Sequence, residues 1–117
     1  PCTEHIYWLC KDKPRVYRDA LQSEYKTEVW IIPPERQKKH PAPFPKQLVR
    51  NCIQLSTVEG DMVLDPFMGS GTTAIVSEEL RRKWIGFDID EKYIEITKET
   101  VEEVAHTQLN PLADVLY

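Results

Sequence analysis

The residues best suited to chemistry form one short run, Asp65-Pro66-Phe67-Met68-Gly69-Ser70-Gly71-Thr72-Thr73, followed 23 positions after Asp65 by a second acid, Asp88. Gly69 and Gly71 allow a sharp backbone turn and a close approach to a ligand, since neither carries a Cβ. Thr72 or Thr73 can cap a helix that starts there, and the first N–H groups of such a helix attract a carboxylate or phosphate. Asp65 and Asp88 would each stand where a strand ends. An acid at the second position can accept both hydroxyls of a ribose. The spacing therefore points to a nucleoside that carries an anionic group. Gly69-Ser70-Gly71-Thr72-Thr73-Ala74 also satisfies a loose G-x-G-x-x-A, which keeps an NAD-dependent dehydrogenase fragment open.

Those positions require alternating strands and helices, and the flanking pattern supplies them. Leu48, Val49, Cys52, Ile53 and Leu55 or Ser56 recur at helical spacing behind Pro45, which suits a first helical turn, and that helix should end near residues 58–60. Residues 62–65 (MVLD) read as a buried parallel strand, and Ala74, Ile75, Val76 and Leu80 as the next helix. Residues 83–88 (KWIGFD) read as a second strand. Asp90 can cap a third helix with Ile94, Thr97, Val101 and Val104 or Ala105 on one face, ending before Asn110-Pro111. This order builds a parallel α/β sheet with right-handed crossovers. Two clear strands fall short of the five or more that a doubly wound sheet commonly has.

The first third differs in character. Seven of the nine prolines precede residue 46. Residues 5–10 (HIYWLC) and 28–32 (EVWII) are β-branched and aromatic runs that read as strands, the second stopped by Pro33-Pro34. Charge divides the same way: residues 1–50 hold ten Lys/Arg against six Asp/Glu, and residues 51–117 hold five against thirteen. The basic part, with Arg36, Lys38 and Lys39, permits a DNA-facing edge, although a solvated face explains it equally well. With 117 residues the chain is one domain. No apolar run approaches the roughly 20 residues of a membrane span, so no membrane role is expected. Cys2, Cys10 and Cys52 have neither C-x-x-C spacing nor an even count, which suits free thiols in a reducing cytoplasm. His5 and His106 lack partners at ligand spacing, so no metal is expected. The start, Pro1-Cys2-Thr3-Glu4, reads as a cut or as the continuation of an upstream segment.

Residues 64–73 (LDPFMGSGTT) resemble the methyl-donor motif of DNA amino-methyltransferases of the circularly permuted group, in which the catalytic motif precedes the cofactor motif. His40-Pro41-Ala42-Pro43-Phe44-Pro45 is similar to that family's other cofactor motif, and residues 29–32 to the strand before it. The resemblance runs from about Val29 to Glu95, with a weaker match over residues 1–28. It implies a partial Rossmann-like S-adenosylmethionine-dependent methyltransferase fold, the C-terminal part of a doubly wound sheet. Residues 1–39 would be a strand and loop region, 40–105 the cofactor-binding βα units and 106–117 a tail. It also implies a cofactor site of His40, Phe44, Pro45, Asp65, Pro66, Phe67, Gly69, Ser70, Gly71, Thr72 and Asp88. There the turn would contact the methionine moiety, Phe67 would pack on the cofactor and Asp88 would hold the ribose.

His40 is weighed as shaping the pocket rather than as a base, and Phe44 as either pocket lining or a core anchor. Trp30 and Trp84 read as core or sheet-face residues. The family's chemistry needs Asp, Asn or Ser followed by Pro-Pro and an aromatic ring, which hold a base flipped out of double-stranded DNA. The sole Pro-Pro, in Ile32-Pro33-Pro34-Glu35, lacks both the polar residue and the ring. No catalytic residue is therefore assigned, and activity is expected to need an N-terminal complementing segment or subunit. A non-catalytic nucleotide-binding subunit is the remaining alternative.

Overall fold

The computed structural model describes residues 3–34 and 44–109. Its regular part is α1 (Lys46–Ser56), β1 (Met62–Asp65), α2 (Thr72–Glu79), β2 (Lys83–Gly86) and α3 (Glu91–Leu109), in that order. The two strands pair in parallel, Met62 beside Lys83 through Asp65 beside Gly86. Both therefore end on the same side, where Asp65 and the residues after Gly86 lie.

α1 starts at the Pro45 carbonyl, which accepts from the Leu48 N–H at 3.0 Å; proline has no N–H to leave unpaired there. The helix stops at Ser56, short of the expected 58–60. Arg82 explains the stop, because its Nε donates to Thr57 Oγ1 at 3.0 Å and its Nη2 to the Thr57 carbonyl at 2.9 Å. These bonds draw β-branched Thr57 into extended backbone.

α2 lies at the centre of the core. Ala74, Ile75, Val76 and Ser77 are all buried, so apolar side chains surround it and its neighbours are α1, α3 and β2. Arg81 turns the chain out of the helix at φ +60°, and the Arg82 N–H reaches back to the Ser77 carbonyl at 2.8 Å. Trp84 on β2 donates its indole N–H to Glu78 Oε1 at 2.9 Å, a sheet-face role that matches its reading. α3 is capped by Asp90, whose Oδ1 accepts the Lys92 N–H at 3.0 Å. Its inward line is Tyr93, Ile96, Thr97, Thr100, Val101, Val104 and Ala105, while the expected Ile94 faces solvent. No helix among the described residues is long and apolar enough to cross a membrane.

Three further expectations need correction. Residues 5–10 and 28–32 form no strand; they are irregular and largely exposed, because no described strand offers them backbone partners. Trp30 is instead held locally, its indole N–H on the Tyr25 carbonyl at 2.9 Å. The first third docks through buried Leu21 and a bond from the Tyr17 N–H to the Leu55 carbonyl at 2.8 Å. The second strand closes at Gly86, two residues before the expected Asp88. Finally, β1 is covered on one face only: Val63 and Asp65 are half-buried, whereas Met62 and Leu64 are 54% and 62% exposed.

Candidate functional site

The turn between β1 and α2 meets the end of β2 at a small set of hydrogen bonds. The Phe87 N–H extends the ladder to the Asp65 carbonyl at 3.1 Å, and the Met68 N–H returns to the Phe87 carbonyl at 2.9 Å. Met68 is thereby buried beside Gly86, where any Cβ would strike the Met68 methyl group. The two strand ends and the turn form one unit at the carboxyl edge of the sheet, the usual ligand crevice of open α/β sheets.

Each carboxylate grips the turn from one side. Asp65 Oδ1 accepts the Phe67 N–H at 2.9 Å, and its Oδ2 accepts the Thr73 hydroxyl at 2.6 Å. Asp88 Oδ2 accepts the Gly69 N–H at 2.8 Å, and its Oδ1 accepts the Asp90 N–H at 2.8 Å. A carboxylate offers about four acceptor positions, so each acid retains lone pairs for a ligand. Phe67 stands 87% exposed and Ile89 is fully exposed, an apolar surface beside the acids.

Both glycines have positive φ, +56° at Gly69 and +87° at Gly71, yet their surroundings differ. Nothing lies within 4 Å of a Cβ placed on Gly69, so that side of the turn faces open space. A Cβ on Gly71 would sit 2.7 Å from Thr97 Cγ2 and 2.9 Å from Thr97 Cβ, because α3 backs the turn there. Gly71 is also the N-cap of α2, with no side-chain cap. The expected capping by Thr72 or Thr73 is corrected on that point. Thr72 turns into the core at 8% exposure, and Thr73 sends its hydroxyl across to Asp65 instead.

The sequence-derived set divides accordingly. Asp65, Pro66, Phe67, Gly69, Ser70, Gly71, Thr72 and Asp88 lie together on or beside this turn. Phe44, 64% exposed, and Pro45 lead into α1, and His40 lies outside the described residues. The ion pairs of the first half of α1 join Lys46 and Arg50 to Glu79 at the far end of α2, at 3.8 and 2.6 Å. Thr73, Asp90, Met68 and Thr97 were not in the set although they shape the site. The Thr-Thr pair was the available signal: successive helix positions diverge by about 100°, so the two hydroxyls point to different surroundings. Among the described residues, no group of three His, Cys, Asp or Glu could hold a metal ion. A groove lined by Tyr17, Arg18, Gln54, Thr57 and Arg82 lies near the amino ends of the strands and contains none of the set.

Residues 2–99 match the DNA methylase family of N6/N4 methyltransferases. The chain is 45% identical over 113 residues to the type II methyltransferase M2.DpnII of Streptococcus pneumoniae, covering 86% of this chain and 42% of that protein. It is 37% identical over 106 residues to the type II methyltransferase M.BglI of Bacillus subtilis, covering 85% and 30% respectively. The chain thus spans less than half the length of these relatives. Among solved structures, a putative DNA modification methylase from Thermus thermophilus complexed with S-adenosyl-L-methionine aligns at a TM-score of 0.62 and 26% identity, covering 86% of this chain and 41% of that one. The M1.HpyAVI complex with SAM aligns at 0.52 and 37% identity, covering 56% and 32%. The α/β arrangement is therefore part of a Rossmann-like methyltransferase fold, and the chain belongs to the N6/N4 DNA methylase family.

Proposed function

We propose that this chain is the cofactor-binding part of a site-specific DNA methyltransferase, which moves a methyl group from S-adenosylmethionine to the exocyclic amino group of adenine (N6) or cytosine (N4) in double-stranded DNA. The observation that carries the reading is the bond from the Gly69 N–H to the Asp88 carboxylate, which sets an acid at the end of β2 against an open glycine turn at the end of β1.

The residues fit the cofactor. Asp88 retains lone pairs for two ribose hydroxyls, and the open space at Gly69 admits a backbone-level contact. The first N–H groups of α2 lie outside its ladder and suit the methionine carboxylate. Asp65 supplies the opposite charge for the ammonium group of the same moiety. Phe67 provides apolar lining, and Pro66, Ser70 and Thr72 hold the turn's shape. When bound, S-adenosylmethionine supplies the activated methyl group. The chain's own residues hold and orient it.

Base extrusion and binding of the target amine require the Pro-Pro-aromatic loop missing from this sequence. Residues 1–117 are accordingly one incomplete domain, with the catalytic motif preceding the cofactor motif and completed by an N-terminal segment or subunit. Neither a metal nor a membrane has a part. Titration calorimetry with S-adenosylmethionine, S-adenosylhomocysteine and NAD tests the reading. Micromolar binding of the first two without NAD supports it, and preference for NAD refutes it.

A further inference from the structure

We infer that Thr73 is a positioning residue, which fixes the Asp65 carboxylate toward the amino-acid end of the cofactor. The inference rests on the proposed cofactor reading and concerns a residue outside the site set above.

Three hydroxyls on the helices of this chain bond back along their own helix. Ser56 donates to the Cys52 carbonyl at 2.6 Å, Thr100 to Ile96 at 2.9 Å and Thr107 to Glu103 at 3.0 Å. Thr73 breaks this habit. It is the second residue of α2, so the carbonyl four positions earlier belongs to Gly69 in the turn rather than to a preceding helical turn. Its hydroxyl instead crosses to Asp65 Oδ2 at 2.6 Å, within the short range of charge-assisted O–H···O bonds.

The Phe67 N–H occupies the other oxygen of Asp65, Oδ1. Two donors on different oxygens, one before the glycines and one after them, fix rotation about the Cβ–Cγ bond of Asp65. Its remaining lone pairs then keep one direction. A cationic ammonium group meeting that carboxylate finds an acceptor already oriented, with less ordering left for binding to supply. Thr72 cannot do this, since it is buried on the core side.

Thr73→Val keeps the shape and β-branching of the side chain while removing the donor. The test measures S-adenosylmethionine and 5′-methylthioadenosine, which lacks the amino-acid end, on the full 117-residue chain by calorimetry. The expected result is an affinity loss of about tenfold for S-adenosylmethionine with no change for 5′-methylthioadenosine. Thr73→Ser should restore the parent value, and Thr73→Val should cost nothing further in an Asp65→Ala background. Equal losses for both compounds would indicate a general structural role and overturn the inference, as would an unchanged affinity for S-adenosylmethionine. A parent chain that binds neither compound refutes the cofactor reading itself. In that event the Thr73–Asp65 contact is judged by thermal unfolding without ligand, where additive Tm losses of Thr73→Val and Asp65→Ala overturn it and non-additive losses sustain it.

Discussion

Adding one methyl group to either glycine of the turn should separate two physical effects that the sequence presents as identical. Gly69→Ala meets only the conformational penalty: its φ is +56° and a Cβ there has no neighbour within 4 Å. A left-handed residue bearing a Cβ costs about 1–2 kcal/mol. Gly71→Ala incurs a similar penalty at φ +87° and in addition drives the Cβ into Thr97, 2.7 Å from Cγ2 and 2.9 Å from Cβ. Real Cβ contacts do not come so close, so α3 or the turn must shift, and overpacking of this kind costs about 1–3 kcal/mol more. Urea unfolding should therefore place Gly71→Ala about 1–3 kcal/mol below Gly69→Ala. Thr97→Ala removes Oγ1 and Cγ2 but leaves Cβ, and should recover part of the difference when combined with Gly71→Ala. If the two single variants unfolded together, or if Thr97→Ala gave no relief, the idea that α3 dictates Gly71 would be wrong.

Asp88→Ala removes the acceptor of the Gly69 N–H as well as the proposed ribose contact, so S-adenosylmethionine affinity measured by calorimetry should fall by about 1–3 kcal/mol; unchanged affinity takes Asp88 out of the site. Glu79→Gln weakens the attraction that joins Lys46 and Arg50 of α1 to the end of α2, and should lower stability by no more than about 1 kcal/mol because these groups are partly exposed. A loss of 3 kcal/mol would mean that the ion pairs, rather than apolar packing, hold α1 in place. Burial pushes the Cys52 thiol above its ordinary pKa, which leaves less thiolate at neutral pH. Iodoacetamide should therefore label exposed Cys10 well before Cys52, and equal labelling rates in the folded chain would contradict that packing. The 117-residue chain alone should transfer no labelled methyl group to DNA and should gain activity only with a segment bearing a Pro-Pro-aromatic loop. Transfer without such a partner refutes the division of labour proposed here.

The elements that position the turn were legible because local chemistry determines them. Pro45 and Asp90 mark helix starts through the one missing N–H and the one capping carboxylate that a helix end requires, whereas the start of α2 at Gly71 was assigned to Thr72 or Thr73 instead. The acids were legible too, since few reasons other than ligand or turn chemistry put carboxylates at the ends of short apolar strands. What Asp65 and Asp88 do inside the protein was not legible. The bond from the Gly69 N–H to Asp88 depends on the parallel register of β1 and β2, a relation between segments about 20 residues apart that residue types do not encode, while the bonds to Phe67, Thr73 and Asp90 depend on the exact path of each turn. The one-residue error on α3, Ile94 for Tyr93, has a simpler origin: hydropathy favoured isoleucine although tyrosine fits the inward line with Thr97 and Val101.

The runs at 5–10 and 28–32 failed as strands for a reason that also bears on function. A strand is defined by a partner, and among the described residues β1 and β2 pair only with each other. One face of that pair, with Met62, Leu64 and Ile85, is left exposed, as are Ile6, Tyr7, Leu9, Val29 and Ile31 in the first third. Exposed β-formers and unpaired strand edges in one short chain invite pairing with further strands. The relatives are more than twice as long as their aligned parts, so they hold chain beyond the part that this sequence matches. The turn between β1 and α2 is different in kind, because its hydrogen bonds close between β1, the end of β2 and α2 without help from outside. The proposed hold on the methyl donor thus rests on bonds already closed within the described residues, whereas the proposed grip on an extruded base needs a Pro-Pro-aromatic loop that is not among residues 1–117.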